Sequence, residues 1–314
     1  MKQIPLGSSG LTVPAVVVGC MRLWDMDRQA LNHFIHTALE QGANCFDHAD
    51  IYGWGAGPGA CEEHFGAAVK GDPSIRREDL IIQSKCGIQR GYYDSSKEHI
   101  LRSVDGILKR LQTDYLDVLL IHRPDALVEP EEVAAAFDEL ERSGKVRRFG
   151  VSNHRPMQIE LLRRYVKQPL IVNQLQFSIP VSNMVAGGLE VNMETAGAAD
   201  RDGSVLDYSR LHDMTIQAWS PFQGPSQPPN WGRCFIGDER YEKLNQELDA
   251  QAAQYSVTPT TIAAAWILRH PARMQIVSGT ARESRLAEII RAGDIQLTRQ
   301  EWYRLYLAAG HLLP

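Results

Sequence analysis

Short apolar runs alternate with segments of helical periodicity along most of this chain. The first 13 residues alternate around Gly-Ser-Ser-Gly at 7–10, a hairpin pattern. Val16, Val17, Val18 and Gly19 follow as a short buried strand. Leu31, Phe34, Ile35, Ala38 and Leu39 then recur at helical spacing, with Asp27 to cap the start and Gly42 to close the end. The alternation repeats. Strands are predicted near Phe46 and over 80–85, 116–121, 149–151, 170–177, 215–219 and 275–277. Helices are predicted over 62–70, 100–111, 130–140, 159–165, 258–271 and 286–290, and Thr298-x-x-Glu301 is a capping box that starts a last one. Eight strands, each followed by a helix, predict an α/β fold, a (β/α)8 TIM barrel with an N-terminal β-hairpin, as a single domain over residues 1–314. A doubly wound sheet is the alternative. Its phosphate loop would follow an early strand at once, whereas Gly55-x-Gly57-x-x-Ala60 comes after Tyr52 and Gly53 and contains Pro58, so it reads as a loop at the barrel mouth. Two longer segments, 180–204 and 221–237, follow the sixth and seventh strands and overhang that mouth. Such lengths indicate lids or plain surface insertions.

Composition narrows the function classes. The net charge of −5 and the lack of a long basic tract exclude a nucleic-acid partner. No apolar run approaches the roughly 20 residues that cross a bilayer, and the N-terminus lacks a secretory pattern, so a soluble, cytoplasmic protein is expected. The five cysteines (20, 45, 61, 86 and 234) are odd in number, scattered and without CxxC spacing, which suits free thiols in a reducing compartment. Cys45 and His48 lie three apart, but no second ligand pair is near, so no metal is expected.

The chemistry is expected where the strands end, because barrel active sites lie at that face. The second strand ends in Asp47, with Tyr52 just beyond it. The third ends in Lys85 and the fourth runs into His122. Each polar group placed there costs desolvation unless it is paired, so four together indicate a network. An ammonium beside a phenol would draw its pKa down from about 10, and Asp47 would hold that ammonium. Tyr52 could then protonate an oxygen that gains charge, with His122 as a second donor. A structural ion pair remains the bland alternative for Asp47 and Lys85.

These residues sit in runs that resemble the aldo-keto reductase family, closest to its bacterial and fungal NADP-dependent branch. The likeness covers nearly the whole chain: Leu6-Gly7 and Gly10-Leu11 in the hairpin, Phe46-Asp47 through Tyr52-Gly53, Gln83-Ser84-Lys85, Leu119 through Pro124, Gly144 through Arg147, and Gly150 through Asn153. The resemblance implies a catalytic tetrad of Asp47, Tyr52, Lys85 and His122. It implies that Ser152, Asn153 and Gln174 meet the nicotinamide carboxamide, and that Trp219 stacks on the ring where the family usually has tyrosine. Ser220, Pro221 and Phe222 would continue along the phosphates. Gly19, Met21 and Arg22 would lie beside the cofactor from the first strand. Ser278, Gly279, Thr280, Arg282, Arg285 and Glu288 would hold the adenosine phosphate, and two arginines there favour NADP(H) over NADH. Ile289 stands where the family often has asparagine. Trp24 and Trp54, with Met21 and Leu23, are expected to wall the substrate site beside His122.

The resulting expectation is an NADP-dependent oxidoreductase acting on a small aldehyde or ketone, a monomer by default. Two other readings stay open at this point. One is a barrel that binds the cofactor for a regulatory purpose. The other is a different barrel enzyme, such as an isomerase that uses Lys85 as a Schiff base.

Overall fold

The computed structural model describes residues 1–225 and 232–314, Trp54 by its backbone alone. Eight parallel strands close into a barrel: β1 Val16–Gly19, β2 Cys45–Asp47, β3 Ile81–Cys86, β4 Val118–Ile121, β5 Phe149–Ser152, β6 Leu170–Gln176, β7 Thr215–Trp219 and β8 Gln275–Ser278. They neighbour one another in chain order, and β8 pairs β1 to complete the ring, Ile276 opposite Val16. In a ring of eight so ordered, β4 stands directly across from β8. The N-terminal hairpin, Gln3–Pro5 with Thr12–Pro14, lies at the barrel floor, where the Gly7 N–H donates to Thr215 Oγ1 at 2.7 Å. The fold is therefore the expected (β/α)8 TIM barrel.

Helices surround the ring: α1 Arg28–Glu40, α2 Ala60–Lys70, α3 Lys97–Leu111, α4 Pro130–Arg142, α5 Pro156–Arg163, α6 Asn183–Leu189, α7 Val205–Leu211, α8 Glu242–Tyr255, α9 Pro259–Arg269, α10 Glu283–Arg291 and α11 Arg299–Ala308. Several of them start with the expected capping chemistry. Asp27 accepts from the Ala30 N–H, Ser96 from His99, and Thr298 forms the capping box with Glu301. Apolar stripes then face the strands, as in α3, where Ile100, Val104, Ile107, Leu108 and Leu111 are buried.

Helices α6, α7 and α8 depart from the pattern reading. Helix α8 was not foreseen, because Leu244, Leu248 and Ala252 form too narrow a stripe among polar residues. The segment 180–204 is not one long loop, since α6 occupies part of it. Residues 226–231 of the second long segment, 221–237, lie outside the described residues. No helix among the described residues is long and apolar enough to cross a membrane.

Candidate active site

Strand alternation decides which side chains enter the barrel. Along β3, Gln83 and Lys85 point inward, while Ser84 points out and donates to Glu62 of α2 at 2.6 Å. Asp47 sits opposite Gln83 in the β2–β3 register, so its carboxylate reaches the same interior level. There Lys85 Nζ donates to Asp47 Oδ2 at 2.7 Å, to the His48 carbonyl at 2.7 Å and to the Tyr52 hydroxyl at 3.2 Å. The Asp47 and Lys85 side chains are 2% and 0% exposed, which makes this a desolvated pair rather than a surface bridge. The His122 ring meets Tyr52 edge-on, with 6.0 Å between ring centroids.

Tyr52 reaches this point because its loop is tightly folded. Gly53 has φ 155°, and a Cβ there would fall 1.9 Å from the Gly57 carbonyl oxygen, so only glycine fits. The glycine-rich segment that follows is the rim of the mouth, as read from the sequence; Trp54–Ala56 forms a single 3-10 turn in it.

The electrostatics correct one expectation. Burial raises the Tyr52 phenol above its ordinary 10, and the Lys85 ammonium opposes this without overcoming it. Tyr52 is therefore a phenol held protonated, not one drawn toward neutrality. Burial would lower Lys85, but Asp47 and Tyr52 outweigh it and the ammonium titrates above its usual value. Burial, Lys85 and Arg123 hold His122 well below the usual imidazole range, so its ring is neutral.

Beneath Asp47 lies a polar layer that the sequence reading missed. Gln174, Gln217 and Gln275 stand in register on β6, β7 and β8, all buried, and Gln83 joins them from β3. Gln83 and Gln174 donate to Asp47 Oδ1 at 2.5 and 3.0 Å, and both also donate to Gln217 Oε1. Gln217 donates to Gln83 Oε1 and Gln275 Oε1, and Gln275 donates to the Pro14 carbonyl at 2.7 Å. A carboxylate above and a backbone carbonyl below can only accept, which fixes which way every amide faces. A glutamine at an inward position in each of four barrel strands is the signal that could have revealed this layer.

A cavity of about 580 Å³ runs from Tyr52 and His122 across the mouth to Arg282 and Arg285. Gly19, Met21, Arg22, Asp47, Ser152, Asn153, Gln174, Trp219, Ser220, Pro221, Phe222, Ser278, Gly279 and Thr280 line it between those ends. Trp219 Nε1 donates to Asn153 Oδ1 at 3.0 Å, and Asn153 Nδ2 to Ser152 Oγ at 2.8 Å, so these side chains form one rigid group. The model of the Aldo/keto reductase family matches residues 15–306.

The chain belongs to the aldo/keto reductase family.

Curated relatives include the oxidoreductase YdhF of Escherichia coli, 35% identical over the full length of both chains. A 6-dehydroglucose reductase of Novosphingobium aromaticivorans is 33% identical over 98% of this chain and 96% of its own. Among solved structures, a thermostable aldo-keto reductase, Tm1743, bound to the inhibitor epalrestat, matches with a TM-score of 0.76 at 27% identity, over 98% of this chain and 100% of that one.

The aldo/keto reductase barrel does not gather every residue named from the sequence. Lys85 lies under the cavity wall rather than in it. Leu23 is 1% exposed and belongs to the core, and Trp24 is half-buried away from the wall. The Trp54 side chain lies outside the described residues. Glu288 is half-buried on α10, and only its carbonyl is engaged, by Thr261 Oγ1 at 2.9 Å. Ile51, Ile88, Arg123, Gln223, Cys234, Val277, Ala281 and Ile289 complete the wall instead. The segment 221–237 thus contributes to the cavity, and the segment 180–204 contributes no wall residue among those described.

Proposed function

We propose that the chain is an NADPH-dependent carbonyl reductase in which Tyr52 gives the proton to the carbonyl oxygen. The observation that carries the proposal is the Lys85 ammonium held 3.2 Å from the Tyr52 hydroxyl and 2.7 Å from Asp47 at the base of the cavity. The residues present suit the dinucleotide. Arg282 and Arg285 face the cavity with no carboxylate partner among the described residues, as a 2′-phosphate requires. The adjoining helix α10 starts without a side-chain cap, which leaves N–H groups for an anion. No side chain of Gly279 blocks that end, and a Cβ there would meet nothing within 4 Å.

Bound NADPH would supply the hydride. Trp219 offers an indole face to the ring, and Ser152, Asn153 and Gln174 offer hydroxyl and amide groups to its carboxamide. Tyr52 holds its proton up to high pH and releases it to an oxygen that becomes an alkoxide. The Lys85 ammonium then stabilises the phenolate left behind, and Asp47, fixed by Gln83 and Gln174, keeps that ammonium in place. Neutral His122 can donate to the same oxygen. Likeness to a 6-dehydroglucose reductase puts hydroxylated aldehydes among the substrates to test.

Tyr52→Phe is expected to lower kcat by about 10³-fold. NADPH binding, followed by nucleotide fluorescence, should stay within a factor of about two of the unaltered protein if the phenol acts only on the proton. A kcat close to that of the unaltered protein would exclude Tyr52 as the donor.

A further inference from the structure

Four arginines line the cavity, Arg22, Arg123, Arg282 and Arg285, against one carboxylate, Asp47, which is already committed to Lys85. Among the described residues no carboxylate forms an ion pair with any of the four. Three of them belong together: Arg22 follows β1, Arg282 and Arg285 follow β8, and those strands are neighbours. A dinucleotide with its phosphates along residues 279–285 compensates that side.

Arg123 stands apart. It follows β4, directly across the ring from β8. Its guanidinium lies 5.9 Å from the centre of the Trp219 ring, and it adjoins His122 in the chain. Asp125, two residues on, forms no ion pair with it; that carboxylate accepts from the Ser95 and Leu127 N–H groups at 3.0 and 2.8 Å. Arg123 is half-buried. Its positive charge helps to suppress protonation of both His122 and His154. A half-buried guanidinium with only a ring for company among the described residues retains nearly all its capacity to bind an anion in a fork. Ile51 and Ile88 supply apolar wall to the same cavity.

We propose that Arg123 binds an anionic group, a carboxylate or a phosphate, on the carbonyl substrate, so that the preferred substrates are acidic aldehydes or ketones. The inference rests on the reductase reading of this site and deepens it. Because His122 and Arg123 line the same cavity, the carbonyl oxygen and the anion belong to one small substrate.

The test compares kcat/KM, with NADPH, for pairs that differ in charge. One pair is 4-carboxybenzaldehyde and its methyl ester, which has a similar shape and a stronger electronic pull, so that intrinsic reactivity favours the neutral member. The other is glyceraldehyde 3-phosphate and glyceraldehyde. At least one acidic member should exceed its neutral partner by about tenfold or more, mainly through KM, as one charged hydrogen-bonding contact implies. The pair that shows the larger ratio tells carboxylate from phosphate. Arg123→Leu should bring the ratio close to one, and Arg123→Lys should restore part of it, because charge survives and the fork does not. If Arg123→Leu does not fold, as judged by thermal melting, Arg123→Gln reads the same ratio. A ratio near one for both pairs in the unaltered protein, or a ratio that Arg123→Leu leaves in place, overturns the proposal alone. Turnover of none of the four compounds overturns the reductase reading and the proposal together.

Discussion

The two ends of the barrel hold similar charges and use them in opposite ways. At the N-terminal end, Asp117 precedes β4 and accepts from Arg77 at 2.8 Å, from the Ile82 N–H at 2.9 Å and from Arg147 at 3.3 Å. The two guanidiniums also lie 3.9 and 3.7 Å from the centre of the Tyr115 ring. Both guanidiniums there are held by a carboxylate of the chain. In the cavity at the C-terminal end Lys85 is matched by Asp47, and four arginines face that cavity with no carboxylate partner among the described residues. The floor spends its arginines on stability. At the mouth they face the cavity without a carboxylate partner among the described residues.

The comparison can be broken at several points. The largest effect is expected at the floor. Asp117→Ala leaves Arg77 and Arg147 facing each other across Tyr115 and should cost about 3 kcal/mol of stability, at the low end for a broken buried pair because the arginines are partly exposed. Chemical denaturation would measure this, while kcat/KM at 25 °C should stay unchanged. A loss of activity without a loss of stability would mean that the floor is not merely structural.

At the mouth the balance should invert. Arg282→Ala with Arg285→Ala should raise the KM for NADPH by about 10- to 100-fold, with little change for NADH and none in melting temperature. An equal effect on both nucleotides would remove the 2′-phosphate from the account.

The smallest effect is expected from pH. On the proposed mechanism reduction needs Tyr52 protonated, and its raised pKa means that form persists until pH rises above 10. It also needs neutral His122, whose lowered pKa keeps it so until pH falls well below 6.5. Activity on an uncharged aldehyde should therefore be nearly flat from about pH 6.5 to 9. A limb inside that interval would mean that Lys85 does pull the phenol down.

The barrel was legible because its strands are dense apolar runs and its helices carry capping residues at their starts. Asp47, Tyr52, Lys85 and His122 were legible for a related reason, since each ends or follows such a run at one face. Other features depend on neighbours that are remote in sequence. The direction of the Tyr52 shift is set by burial under a loop closed by Gly53 and Gly57. Arg123 sat in plain view beside His122, but its isolation follows only from strand order. Trp24 and Leu23 read as pocket walls because they are large and close to Met21, yet the turn after β1 takes both out of the wall. The Asp117 cluster joins residues from before three different strands and had no local signal.

The glutamine layer carries a consequence for assembly. It ties the Asp47 carboxylate to residues on β3, β6, β7 and β8 and to a carbonyl of the hairpin. Those segments span almost the whole chain, from Pro14 to Gln275. Until the last strand slots between β7 and β1, Gln217 has no Gln275 to meet, and the amides have no floor to set their direction. A chain emerging during synthesis thus completes the amide network beneath Asp47 only when its final strand closes the ring.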